Sequence, residues 1–297
     1  MSMRADTHRA SRKVRPALAM RRAVVLVLGI GFATAVVLSV RPARVTFNVT
    51  AESESLRFRT SRPQSWGFRN ATVAFGSSSD IVTGIVALQP EVDVTVVRQG
   101  GGPLRIHCRQ REGASVGYLQ LEEGEEVDLR TLPDEIVIRL DNLDDRFSAG
   151  EGLVLPFAGH VYGLSSPVSE YSWTAPLLRR GRVDILVERG LGGGVFGAGS
   201  VDLSLGDDIR TTDGVEALGI VAFTGDPGLG VVLRLLAGQC FVDRFAVQGF
   251  TVTVDTWTRV VNDPSLRLVW MTFLFFLGLG TGVLKWREEH GLPGTKA

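Results

Sequence analysis

Histidine and serine are the residue types in the central part of this chain that could support nucleophilic catalysis. Its only histidines there are His107 and His160, which excludes a histidine-rich metal site. His160 lies shortly before Ser165 and Ser166, but a serine hydrolase needs its serine on a constrained turn beside an oxyanion hole. No Gly-x-Ser-x-Gly turn sequence surrounds either of these serines. We therefore predict structural roles for both histidines and no catalytic residue.

Acidic residues are concentrated between residues 122 and 145 and could offer oxygen ligands to Ca²⁺, which binds six to eight of them. Residues 141–145 lack the ligand spacing and the glycine of an EF-hand loop. Two carboxylates could also serve glycoside hydrolysis, but the sequence places no pair across a cleft. We predict solvated hairpin tips and no bound metal. The acidic residues are Glu122, Glu123, Glu125, Glu126, Asp128, Asp134, Glu135, Asp141, Asp144 and Asp145.

Six glycines fall within residues 190–199. The segment has no Gly-Lys-Ser/Thr ending and no helical pattern after it, so it is not a phosphate-binding loop, and we predict no cofactor. A mobile hairpin loop is favoured over an apolar tip that inserts into a partner or a bilayer.

A basic and aromatic stretch between residues 57 and 69 is the best candidate for an interaction surface. Arginine beside aromatic side chains suits protein interfaces and anionic lipid headgroups. The alternative is that these residues belong to ordinary strand edges. The candidate interaction residues are Arg57, Arg59, Arg62, Trp66, Phe68 and Arg69.

Cys108 and Cys240 are the only cysteines. An extracytoplasmic location would permit a disulfide between them, worth up to about 4–5 kcal/mol in the chain-entropy model. Both lie in strand-like runs, where buried thiols are equally natural. The sequence leaves the disulfide and the two buried thiols as alternatives.

Alternation of apolar and polar residues runs through most of the central part and predicts half-buried strands. Examples are Val92, Val94 and Val96, and later Ile136 and Ile138. Together with further apolar runs, the pattern predicts about fourteen to sixteen strands separated by glycine, proline and aspartate turns. We expect an all-β fold of the β-sandwich or jelly-roll type. A β-solenoid is the alternative, although no fixed repeat is visible.

The all-β region could be one large unit or two tandem units. Pro156 directly precedes residues 157–182, and Pro167 and Pro176 lie within them, so the alternation is interrupted there and this segment is the best candidate for an internal boundary. The two halves do not align with each other, so the sequence gives no support for a duplication. Because each membrane-like helix borders a strand closely, we also expect the first and last strands, residues 44–50 and 250–256, to be neighbours.

Two uncharged apolar runs flank this region and are long enough to cross about 30 Å of hydrocarbon. Basic residues precede the first run and are in excess after the second, which predicts a hairpin with both termini in the cytoplasm. We divide the chain into a cytoplasmic arm (1–22), a transmembrane helix (23–40), an extracytoplasmic β domain (41–265), a second transmembrane helix (266–284) and a cytoplasmic tail (285–297).

The first run could instead be a cleaved signal peptide, but its apolar core is long and no small-x-small cleavage site follows it. The second could be a buried core helix, but tryptophan and basic residues near its ends suit a membrane interface. Small residues in both runs would allow close helix packing, either between the two helices or on a partner. The candidate packing residues are Gly29, Ala33, Gly278 and Gly282.

The β region contains 21 arginines, no lysine and 29 acidic residues, so its net charge is about −8. This charge argues against nucleic acid as a partner, and arginine without lysine is typical of a GC-rich bacterial genome. We predict a non-enzymatic protein of the bacterial inner membrane whose β domain is an interaction, assembly or accessory subunit. The expected partners are the lipid bilayer and an envelope protein or a second copy. The alternatives are a lipid- or glycan-binding module and, third, an extracytoplasmic hydrolase.

Overall fold

The computed structural model of this protein describes residues 25–39, 44–123, 126–141, 153–164, 177–189, 193–211, 215–223, 227–236, 239–244 and 248–289. These residues form 17 strands and three helices, so the prediction of a mostly β chain is confirmed. The strands are β1 Val45–Ser53, β2 Ser55–Thr60, β3 Gln64–Phe75, β4 Ser78–Leu88, β5 Val92–Val97, β6 Leu104–Gln110, β7 Gly117–Glu123, β8 Glu126–Thr131, β9 Glu135–Leu140, β10 Leu153–Gly163, β11 Leu178–Glu188, β12 Val195–Leu203, β13 Asp208–Thr211, β14 Glu216–Phe223, β15 Leu229–Leu236, β16 Cys240–Asp243 and β17 Phe250–Val252. The helices are α1 Val25–Ser39, α2 Thr256–Asn262 and α3 Pro264–Glu289.

The chain divides into two compact units. The β unit comprises Arg44–Val187 and Gly197–Val254. The helical unit contains all three helices and the short segment Glu188–Phe196.

Fourteen strands form one large sheet in the order β12-β11-β1-β15-β14-β10-β2-β5-β6-β9-β3-β4-β7-β8. Strands whose pairing register is defined run antiparallel, as for β1 with β11 and β15. The predicted internal boundary at 157–182 begins in β10 and ends in β11, and both strands belong to this sheet. Residues 165–176 lie outside the described part of the chain.

The predicted alternation corresponds to the two faces of the sheet, because successive side chains of a strand point to opposite sides. Val92, Val94 and Val96 of β5 are buried, and the residues between them are half-buried. Ile136 and Ile138 of β9 are buried in the same way. The inner face therefore carries the branched and aromatic side chains of the core.

The strands from β10 to β3 curl so that β3 returns to β10. The Trp66 indole Nε1–H donates to the Pro156 carbonyl at 2.8 Å, and the Gln64 side-chain amide donates to the Ala158 carbonyl. Inside the curl, the rings of Phe58 and Phe157 lie 4.5 Å apart between centroids. Since β10, β2, β5, β6, β9 and β3 are successive neighbours, these contacts bring the two sides of this group together around a shared core.

A separate sheet contains β13, β16 and β17 in that order. Its last strand, β17, pairs with β16, whereas β1 is flanked on both sides by β11 and β15. The predicted pairing of the first and last strands is therefore wrong. Nearness in sequence to the flanking helices does not determine strand partners, because β1 finds both of its partners far along the chain.

In the helical unit, α3 contains the 20-residue stretch Pro264–Val283, which is long and apolar enough to span a membrane by length and composition. The shorter apolar helix α1 packs against it. The Phe32 ring lies 6.1 Å from the Trp270 ring and 5.7 Å from the Phe273 ring, and the Trp270 Nε1–H donates to Ser39 Oγ at 3.2 Å. Ser39 at the end of α1 contacts Trp270 near the start of α3, whereas the earlier Phe32 also reaches Phe273. The two helices are therefore antiparallel.

Candidate interaction surface

The basic and aromatic stretch at residues 57–69 is divided between the two faces of the sheet. Trp66 and Phe68 of β3 are only 2% and 4% exposed and belong to the core. Arg57 and Arg59 of β2 alternate with buried neighbours and lie on the outer side, where both are half-buried. Arg69 is exposed. The six predicted interaction residues therefore do not form one surface, because strand alternation separates the aromatic rings from the arginines.

Two of these arginines, Arg59 and Arg62, form ion pairs. The Arg59 Nε–H donates to Asp93 Oδ1 at 2.7 Å, and the Arg111 Nε–H donates to Asp93 Oδ2 at 2.9 Å. Burial alone would raise the pKa of Asp93, but the hydrogen bonds from Arg59 and Arg111 outweigh it and hold the pKa below its usual value. Arg62 donates to Glu216 Oε1 at 2.7 Å, and both side chains are substantially exposed.

The outer side of β2, β5, β6 and β9 carries a row of charged residues, which we call the charged face. Strand register aligns Arg59 with Asp93, Asp93 with Arg109, and Arg109 with Glu135. His107 extends it, since its Nε2 lies 2.7 Å from Glu135 Oε1. Positive and negative side chains thus alternate across the four strands.

His160 lies beside the charged face, opposite Arg59 in the register of β10 and β2. Its Nδ1 lies 3.1 Å from the Val215 carbonyl, which is a structural contact with the backbone. Ser165 and Ser166 lie outside the described residues. Neither domain histidine has a serine among the hydrogen-bond partners that the structure shows.

A Gly-x-Ser-x-Gly sequence does occur at residues 113–117, far in sequence from His160. Ser115 Oγ donates to the Gly117 carbonyl at 2.8 Å and accepts from the Gly117 N–H at 3.1 Å. The segment leads into strand β7, whereas a catalytic serine of this motif stands between a strand and a helix. Ser115 therefore stabilises a local turn.

The outer side of β10, β14 and β15 is different, because it exposes a contiguous group of apolar side chains. Pro156, Ile220 and Val232 are aligned in one row by the strand register. Val154 and Leu218 lie in the adjacent rows, and the exposed fractions of the four non-proline side chains are between 39% and 49%. We call these five residues the apolar patch. Water-exposed apolar groups of this kind commonly mark a site of interaction.

The sequence contains a signal for the apolar patch that alternation alone does not reveal. β14 and β15 are nearly continuous apolar runs, a pattern typical of strands that are covered on both faces. In the described part of the chain, the inner face is buried and the outer face is open. The patch ends at β1 and β11, whose outer sides carry Thr50, the pair Arg182 and Asp184, and the pair Arg180 and Glu52.

The two cysteines are separate buried thiols, which is the second of the predicted alternatives. Cys108 lies in β6 of the large sheet and Cys240 in β16 of the small sheet, and both are free. Burial raises the pKa of each thiol to about 12. Neither thiol is therefore a nucleophile at neutral pH in the folded protein.

The small residues proposed for helix packing lie away from the contact between α1 and α3. A side-chain carbon added at Gly29, Gly278 or Gly282 would meet no described atom within 4 Å, and Ala33 is exposed. The contact instead uses Phe32 and Ser39 with residues of α3. Of the two predicted roles for these small residues, docking on a partner stays a prediction.

The acidic region forms no metal site within the part of the chain that the structure describes, where no cluster of three metal-binding side chains occurs. Asp128 pairs with Arg130 and Asp141 with Arg139 at exposed positions. Residues 124–125 and 142–150 lie outside the described part. In the glycine-rich segment, the Arg189 N–H donates to the Gly194 carbonyl at 3.0 Å, and Gly193 and Gly194 have positive φ, as a tight turn requires.

Comparison of the chain with protein-family models, with curated proteins and with solved structures yields no match.

Proposed function

We propose that this chain is a non-enzymatic subunit of the bacterial inner membrane, held by α1 and α3, whose extracytoplasmic β domain binds an envelope protein through the apolar patch. In this proposal the protein acts as an interaction, assembly or accessory subunit of a membrane complex. Both termini are in the cytoplasm, and the large sheet is presented on the other side of the membrane.

Two observations support the membrane hairpin. The stretch Pro264–Val283 is long enough to span the hydrocarbon layer, and α1 packs antiparallel to it through Phe32, Ser39 and Trp270. In an antiparallel pair, the N-terminus of α1 and the C-terminus of α3 lie on the same side of the membrane. The basic residues before α1 favour the cytoplasm for that side. The β unit then lies between two membrane crossings in the sequence.

Reporter fusions test this topology. Fusions after Ala5 and after Lys296 are expected to report a cytoplasmic location, and an insertion beside Gly193 is expected to report the opposite side. A cytoplasmic signal at Gly193 would overturn the proposal.

The apolar patch is the observation that carries the proposed interaction. Burying apolar surface contributes about 25 cal/mol per Å², so covering several half-exposed branched side chains provides a driving force for association. Interface centres are apolar and their rims are polar. The patch has this arrangement, since Arg234 and Glu216 border it and the ion pairs of β1 and β11 lie beyond.

Site-specific photo-crosslinking in intact membranes tests the interaction. A photoreactive amino acid at Ile220 or Val232 is expected to form the same crosslinked product with one protein. The control is Thr50, which is exposed and aligned with Val232 but lies outside the patch. Ile220→Asp together with Val232→Asp is expected to remove the partner from the purified protein, whereas Thr50→Asp retains it. Equal crosslinking from Thr50 would show that the patch has no special role.

A lipid- or glycan-binding module is the second candidate, and the open apolar patch also favours it for an apolar ligand. The same experiment separates the two functions. Crosslinks from Ile220 and Val232 to lipid, without any protein product, would favour the module and contradict the protein interface.

A further inference from the structure

In the short helix α2, apolar side chains are exposed and a charged side chain is buried, which is the reverse of the usual pattern for a helix that borders water. Trp257 is 71% exposed and Val261 is 49% exposed, and the four-residue spacing places them on one side of the helix. Arg259, the basic residue of the last turn, is only 8% exposed. A helix that borders water normally buries its apolar side chains and exposes the charged ones.

One residue connects α2 to the apolar stretch of α3. Asp263 has extended backbone angles and ends α2, where its N–H donates to the Arg259 carbonyl at 2.8 Å. Its carboxylate then accepts hydrogen bonds from the Ser265 N–H at 2.8 Å and the Ser265 hydroxyl at 2.6 Å, which caps the start of α3. Pro264 suits the first turn of a helix and disfavours helical angles at the residue before it. The sequence Asp263-Pro264-Ser265 therefore ends α2 and starts α3.

This connection determines what surrounds the exposed side of α2. Pro264 is the first residue of α3 and of its membrane-length stretch, so α2 ends directly before this stretch begins. Tryptophan is enriched at the membrane–water interface because its ring is apolar and its indole N–H is polar. At the other end of α3, Trp286 is also exposed, three residues beyond the apolar stretch. Tryptophans therefore stand outside both ends of the span.

We propose that α2 lies in the interfacial layer of the membrane on the extracytoplasmic side, with Trp257 and Val261 inserted among the lipid headgroups. This inference rests on the proposed membrane crossing by α3. Helix α2 then holds the depth of α3, since Trp257 on one side and Trp286 on the other resist movement along the membrane normal.

Spin-label depth measurements on the full-length protein in lipid nanodiscs test the inference. Both native cysteines are buried, so a thiol-specific nitroxide reports on an introduced cysteine, and unmodified protein treated in parallel measures the background. The label is placed at Val261→Cys, which keeps Trp257. The references are Phe276→Cys, exposed within α3, and Leu205→Cys, exposed on a turn of the β unit. The measured quantity is the ratio of accessibility to oxygen, which partitions into lipid, over accessibility to a neutral water-soluble nickel complex.

The ratio is expected to be highest at 276 and lowest at 205, with 261 several-fold above 205 and below 276. Trp257→Ala is expected to lower the ratio at 261, whereas Asn262→Ala, a change at another exposed position of α2, is expected to leave it unchanged. A ratio at 261 equal to that at 205, with 276 still in lipid, would place α2 in water and overturn the inference. Inaccessibility of 261 to both probes would show a protein contact and would also overturn it. A water-accessible label at 276 would instead contradict the proposed membrane crossing.

A second measurement does not require an introduced cysteine. The fluorescence difference between the native protein and Trp257→Phe gives the signal of Trp257 alone. Lipids with a nitroxide near the headgroup are expected to quench this signal more than lipids with a nitroxide near the end of the acyl chain. Equal, negligible quenching by both lipids would overturn the inference.

Discussion

The charged face and the apolar patch lie side by side on the outer surface of one sheet, yet one exposes charged side chains to solvent and the other exposes apolar ones. On β2, β5, β6 and β9, charged outward side chains alternate in sign, as in the aligned row of Arg59, Asp93 and Arg109. On β10, β14 and β15, the same outward positions carry Val154, Ile220 and Val232. The outer surface is therefore not apolar in general. The difference supports the proposal that the three apolar strands bind a partner.

The largest expected effect is a difference in unfolding free energy between substitutions on the two sides of strand β14. Val221→Asp places an unpaired carboxylate in the core, where Val221 is 1% exposed, and is expected to cost at least about 3 kcal/mol of unfolding free energy. Ile220→Asp, one residue away on the apolar patch, is expected to change it by no more than about 0.5 kcal/mol. Pulse proteolysis of the full-length protein in urea measures both values. A severe loss from Ile220→Asp would mean that the patch is part of the core.

The second prediction tests whether the partner is held by the patch alone. Gly278→Leu together with Gly282→Leu keeps α3 apolar but blocks close approach of another helix. We expect normal membrane levels, unchanged crosslinking between positions 32 and 273, and recovery of the partner reduced by about tenfold, which equals about 1.4 kcal/mol. Leu279→Ala, a change on the same helix that adds no bulk, is the control. Full partner recovery by the glycine variant would assign the interaction to the β unit alone.

The third prediction concerns the charged face. Asp93→Asn removes the shared partner of Arg59 and Arg111 and is expected to cost about 1 kcal/mol at neutral pH, a modest value because these side chains are partly exposed. The folded pKa of Asp93 is lowered. Its contribution is therefore fully present above the ordinary carboxyl pKa of about 3.9 and is lost as the pH falls through the folded value.

Urea midpoints at neutral pH and at about pH 3 measure this contribution. The difference between native protein and Asp93→Asn is expected to shrink at the lower pH. Asp80→Asn, a change at an exposed carboxylate, is the control and is expected to have little effect at either pH. A difference that is independent of pH would show that the aspartate acts through packing rather than charge.

The smallest expected effect concerns the thiols. Because burial raises the pKa of Cys108 and Cys240 to about 12, a maleimide reagent is expected to leave both unmodified at neutral pH until urea unfolds the β unit. Mass spectrometry after timed labelling measures this. Rapid labelling of either cysteine in the native protein would contradict the buried environment, and an absence of labelling after unfolding without reductant would indicate a disulfide.

Strands and their buried sides were predictable where alternation is regular, as at Val92, Val94 and Val96, because period two is a local property of the sequence. Within β3 the same rule separates Arg69 from Trp66 and Phe68, so the basic and aromatic stretch already contained evidence against a single surface. The apolar runs of β14 and β15 indicate two apolar faces, but which of the two faces is exposed was not predictable from local sequence. Strand order was also beyond local rules, as the wrong pairing of the first and last strands shows.

The central position of β1 has a consequence for how the protein is made. Val49 pairs with Val183 and Leu233, which follow it by about 130 and 180 residues. At roughly 5–20 residues per second, about 10–40 s of synthesis separate this strand from its later partner. Until β11 is synthesised, β1 has neither neighbour, and such non-local pairing folds slowly. The unfinished chain therefore exposes an unpaired strand that is prone to aggregation until the last strands of the sheet have been synthesised.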